Sequence, residues 1–122
     1  MSKIVSITNK KNKKLIGSHI KVAKNPISRM IGLLTKSSLP EGTGLLIVPC
    51  RSIHSFFMKF EFDAVFLDKN DMVTYLIEEM KPFKVSKYAG KAKKVLELPA
   101  KAIKKYDITF GDTLEIIENN EN

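Results

Sequence analysis

The stretch IHSFFMKFEFDAVFLDK, residues 53–69, constrains the fold more than any other part of this chain. Phe62, Ala64 and Phe66 alternate with Asp63, Val65 and Leu67, and both sets are mostly apolar, which is the pattern of a strand covered on both faces. Read the same way, His54–Met58 is a second strand, so the block is expected to fold as a buried hairpin. It contains one of the two histidines, His54, and a carboxylate, Asp63, set among residues that must be buried. A buried carboxylate without a donor is costly, so Asp63 needs either a wet strand end or a partner. His54 and Arg29 are the donors to try first.

The remaining segments read as short elements. KIVSITN and KLIGSHIKVAK alternate with β-branched residues around the polar turn NKKNKK, which predicts a hairpin. NPISRMIGLLTKSSL changes period, with Asn25 as cap and Pro26 in the first turn, and predicts a short helix ending near Lys36. LLIVP, bounded by Gly44 and Pro49, suits a strand buried on both faces. MVTYLIEEM follows the tight turn DKND and extends an antiparallel meander. KPFKVSKYAGKAK is a basic irregular loop, KVLEL is extended, PAKAIKKY is one to two helical turns opened by Pro99, and ITFGDTLEIIE turns at Gly111-Asp112. The expected fold class is mainly β, an antiparallel sandwich or barrel-like domain with two short helices. Residues 1–122 are expected to form a single domain with a frayed tail at 119–122.

Charge bears on partners. The formal net charge is +8, and clustered cations bind polyanions by releasing counterions. Yet 19 of the 21 basic residues are lysine, which lacks the planar fork that reads phosphates and bases bidentately. The basic segments are NKKNKK, Lys84 to Lys94 with Tyr88, and Lys101 to Lys105 beside Tyr106, each with at most one tyrosine for stacking. Solvated lysine turns are the plainer account, and a nucleic-acid partner is the rival one. Arg29 and Arg51 are the two arginines, and in so lysine-rich a chain they mark places where the fork is used. The N-terminus has no apolar run of leader length, no run of about 18 apolar residues occurs, and Cys50 is a lone cysteine, so a soluble cytoplasmic protein is expected.

Arg29, His54 and Asp63, with Ser55 nearby and Glu97 from VLELP as a further acid, are the candidate ligand-binding residues. Together they would form a patch for a small polar or anionic ligand or a partner, or place His54 for acid–base work. The architectural alternative has Asp63 and Arg29 as a buried pair tying the helix to the sheet, His54 as an edge residue and Glu97 facing solvent. Cys50, His54 and Met58 recur every four residues, but on a strand that step is about 13 Å, too far for one coordination sphere, so no metal is expected. No cofactor fingerprint is present, and a Cys50/His54 nucleophilic pair has no third orienting residue. Oligomeric state is open.

Five blocks carry a family resemblance: RMIGLL at 29–34, GLLIVPC at 44–50, IHSFFMKFEFDAVFLD at 53–68, VLELPA at 95–100 and FGD at 110–112. In this order they resemble the domain of unknown function 192 family. The resemblance implies a compact, mostly β fold with two short helices and no established activity. Many members look exported, whereas this sequence shows no leader. Relatives usually carry glycine where this chain has Lys101, which implies a different backbone geometry at that turn.

Overall fold

The computed structural model describes residues 3–24, 38–55 and 58–119. Seven strands form one sheet: β1 Ile4–Asn9, β2 Leu15–Ala23, β3 Thr43–Ile47, β4 Phe62–Leu67, β5 Val73–Met80, β6 Lys94–Pro99 and β7 Leu114–Glu118. Their order is β5-β4-β6-β3-β2-β1-β7. Among the described residues there is one short helix, α1, at Ala102–Lys105. The helix expected over residues 26–36 lies outside them. No helix among them is long and apolar enough to cross a membrane.

All seven strands send side chains into one cluster that includes Val5, Ile20, Leu46, Val65, Leu96 and Leu114, with Ala102 and Ile103 of α1. A flat sheet cannot bring one face of seven strands together, so the sheet curls into a half-barrel with this cluster as its inside. The segment before β7 closes the curl onto the edge strand β5. Val73 N donates to Asp112 O, Gly111 N to Val73 O, and Leu114 N to Asp71 O. The outer face of the curl holds a second cluster, built from Leu45, Ile47, Phe62, Ala64, Phe66 and Val95 and covered by Ile53, Met58, Ala89 and Ala92 from the connecting segments.

Most strands fall where alternation places them, with two corrections. β2 and β3 pair in parallel, so the sheet is mixed rather than antiparallel. Residues 53–67 do not form a hairpin: β4 pairs with β5 on one side and β6 on the other. All six β4 residues are buried, and a strand so placed has both edges filled by long partners. His54 makes only an isolated bridge, to Val85. Its segment runs against the lysine-rich loop instead, with Ser55 N donating to Lys84 O, Ser86 N to Ile53 O and Ala89 N to Arg51 O. At the end of the described residues, Ser6 Oγ donates to Asn119 Oδ1 at 2.7 Å.

Asp112 holds the closure in register. Its carboxylate accepts from Asn9 Nδ2 at 3.0 Å, Thr109 N at 2.8 Å and Thr109 Oγ1 at 3.0 Å, and lies 3.3 Å from Lys11 Nζ. Burial is the largest influence on its pKa and acts to raise it. The hydrogen bonds from Thr109, Asn9 and Lys11 together outweigh burial and hold the carboxyl below its ordinary value of 3.8. A carboxyl depressed in the native state contributes stability that is complete above the unfolded value and disappears as pH falls through the folded one. Asp112→Asn should therefore be less stable than the wild type near neutral pH, and the gap in urea midpoints should narrow as pH falls below 3.8. A gap independent of pH would show that Asp112 is not ionised in its native network.

Candidate functional site

Asp63 begins β4 on the inner face, opposite Leu98 and in line with Val65 and Leu67. It is fully buried. Its Oδ1 accepts from Glu79 N at 2.8 Å and Lys101 N at 3.1 Å, and its Oδ2 accepts from Ile103 N at 2.8 Å. Two of these three donors belong to residues with positive φ, Glu79 at 50° and Lys101 at 75°. A side chain there crowds the backbone at a cost of roughly 1–2 kcal/mol per residue, so the carboxylate stabilises conformations the chain would otherwise avoid. With both oxygens bonded to main-chain amides, Asp63 is an architectural tie between β4, β5 and the entry to α1.

Glu97 lies on the other side of the sheet. It is opposite Leu45 on β3 and Ala64 on β4, both in the outer cluster, and is fully buried rather than facing solvent. His54 is half-buried in a segment whose Ile53 also belongs to that outer cluster. Both side chains are engaged in interactions. The sheet therefore separates Asp63 from Glu97 and the His54 segment, and the expected convergence of Asp63 with His54 is not found. Arg29 lies outside the described residues. The strand premise behind the Cys50/His54/Met58 spacing also fails, because Cys50 to His54 is not a strand. Among the described residues no three His, Cys, Asp or Glu side chains cluster as a metal site would require.

A different group converges on the outer side, where residues 49–52 leave the end of β3. Pro49, Cys50, Arg51, Ser52, Tyr88 and Lys93 line an open depression of about 490 Å³. Arg51 is fixed there by two hydrogen bonds: its Nε donates to Ala92 O at 3.1 Å and its Nη1 to Tyr88 Oη at 3.2 Å. These engage Nε and Nη1, and Nη2 has no partner among the described residues. The Cys50 thiol points back at Ser52 O, 3.1 Å away. Sequence reading marked Arg51 as a place where the fork is used but left it outside the candidate patch. Nothing in local spacing reveals that Tyr88 and Lys93 return to it across about 40 residues, since an irregular loop carries no period.

The family model described as "Uncharacterized ACR", DUF192, matches residues 6–116. The chain belongs to the DUF192 family. The UPF0127 protein PH1112 of Pyrococcus horikoshii is 29% identical over 101 residues, covering 79% of this chain and 85% of that protein. Two solved structures share the fold. A Sinorhizobium meliloti protein, provisionally named a transcription regulator, has a TM-score of 0.76 at 19% identity, covering 95% of this chain and 94% of its own. A Novosphingobium aromaticivorans protein of unknown function has a TM-score of 0.77 at 18% identity, covering 93% and 84%.

Within this DUF192 chain, Lys101, where the resemblance implies glycine, is in the left-handed conformation, φ 75°, and the side chain bears the cost. Lys101→Gly should thus stabilise the protein by about 0.5–1 kcal/mol, the relief of the left-handed strain less the extra backbone entropy of glycine, read from urea melts. Asp63→Ala should cost about 3 kcal/mol or more, because three main-chain amides lose their acceptor. Asp63→Asn, which keeps one carbonyl oxygen, should cost less. Equal losses for both variants would mean that the negative charge, not the acceptor count, is what the site requires.

Proposed function

We propose that this protein binds a small anionic ligand in the depression at Arg51, Tyr88 and Lys93. The observation that carries the reading is the posture of Arg51, whose guanidinium lines the depression, is held by a main-chain carbonyl at Nε and a tyrosine hydroxyl at Nη1, and keeps Nη2 without a partner among the described residues. A guanidinium preorganised this way forms bidentate bonds to a carboxylate or phosphate without first losing side-chain freedom. Lys93 adds a second positive charge on the same wall. His54, Glu97 and Arg29 keep a place in this reading on sequence grounds. Asp63 leaves it, since its oxygens already satisfy the backbone. Ligand binding is favoured over catalysis because the depression itself offers no general base with an orienting partner.

One observation favours a second reading, nucleic-acid association. The loop from Lys81 to Lys94 has no acidic residue, and it exposes Phe83 at 74% together with Tyr88 at 67%, so this patch offers two aromatics rather than one. One experiment separates the two. Thermal shifts with citrate and inorganic phosphate, at fixed ionic strength, should show saturable stabilisation of the wild type, about 2.7 kcal/mol at a hundredfold excess over Kd. Arg51→Met should abolish the shift and Arg51→Lys should weaken it. If small anions give no shift while an oligonucleotide binds with an affinity that falls steeply with salt, and Phe83→Ala weakens it, the second reading replaces the first.

A further inference from the structure

The half-barrel has an open end, and we propose that it holds a second binding site, for a single-chain amphiphile with an anionic head. The ends of β1, β2, β3, β6 and β7 surround a cleft of about 390 Å³. This lies within the range of roughly 300–1,000 Å³ typical of small-molecule pockets, and barrel mouths are among the places where such pockets form. Val5 and Leu46, both buried, make its floor, while Val22, Val48 and Ile116 are half-buried and form its walls. These walls are continuous with the inner cluster, so an apolar chain entering the cleft adds to a core that already exists.

The rim determines the head group. Lys3, Lys24, Lys94 and Glu118 stand around the opening. Lys3 pairs with Glu118 at 2.6 Å, and the hydrogen bond and charge of Lys3 keep that glutamate below its ordinary pKa. Lys94 pairs with Asp71 at 2.6 Å. These pairs are neutral overall, and Lys24 has no ion-pair partner among the described residues. A carboxylate or similar anion seated at Lys24 completes the charge balance, with its chain directed over Val22 and Val48. A cationic head would meet uncompensated like charge there, which is why the occupant is an anionic amphiphile and not any apolar molecule. This site is separate from the Arg51 depression and does not depend on it; Pro49 is the one residue lining both.

The test is displacement of a fluorescent dansyl fatty acid from the full chain, below micelle-forming concentrations. Decanoate should displace it saturably, acetate should not, and decyltrimethylammonium should be at least about tenfold weaker than decanoate. Lys24→Glu should weaken decanoate by about tenfold or more, while Arg51→Met should leave it unchanged, so failure here and failure of the Arg51 reading are distinguishable. Ile116→Thr, which keeps a β-branched residue in β7, should weaken decanoate and leave the melting profile close to wild type. The proposal is overturned if no saturable displacement occurs, or if the cationic and anionic probes bind alike. It is equally overturned if Lys24→Glu has no effect, or if sedimentation shows a dimer that Ile116→Glu dissociates, since a second copy would then occupy the cleft.

Discussion

The buried carboxylate of Asp63 is the interaction on which the rest of this structure depends. Strand β4 lies between β5 and β6, and all six of its residues are buried, so it is the least adjustable strand in the sheet. From its first turn-in, Asp63 reaches the bulged end of β5 at Glu79 and the turn into α1 at Lys101 and Ile103. Both outlying segments contain a residue in the left-handed region, which solvent alone would not hold in place. By fixing them, the carboxylate sets where β5 bends and where α1 caps the inner cluster with Ala102 and Ile103. A neutral apolar residue of similar size would pack there but would take away the acceptor of three main-chain amides.

Curling gives the two faces of the sheet different tasks. The inner face collects aliphatic side chains from every strand and is where β1 and β7 gain their burial. The outer face, holding Phe62, Phe66 and Glu97, would be exposed if Ile53, Met58, Ala89 and Ala92 of the connecting segments did not lie across it. Those segments follow one another by main-chain bonds rather than as a regular ladder, so they can carry irregular polar features such as Arg51 and Tyr88 on a rigid base. The outer depression exists because two loops cover the sheet, and the inner cleft because the curl stays open at one end.

The strands were legible in the sequence because a two-residue period survives any topology. Pairing across short turns was legible too, as β1 with β2 and β4 with β5. Pairing between distant strands was not: period alone says that β4 is buried on both faces; it does not say that its second neighbour is β6, nor that β3 lies parallel to β2. His54 to Met58 has strand-like composition, yet His54 makes a single bridge, because the sheet edge it would need is already occupied by β6. Asp63 was legible as a buried acid needing donors. Its donors were sought among side chains, whereas backbone amides at Glu79, Lys101 and Ile103 supply them, and sequence does not advertise amides.

Strand parity explains why the candidate patch divides as it does. Asp63 and Glu97 are both buried acids in adjacent strands, and chemical similarity suggests a shared site. In the β4–β6 register, however, Asp63 is opposite Leu98 and Glu97 is opposite Ala64, one residue out of step. A shift of one residue sends side chains to opposite faces, so the two carboxylates cannot meet however close their backbones lie. Asp63 and Glu97 are thus two separate buried acids rather than an acid pair, and an anion-binding reading centred on arginine and lysine follows more naturally from this arrangement than an acid–base one.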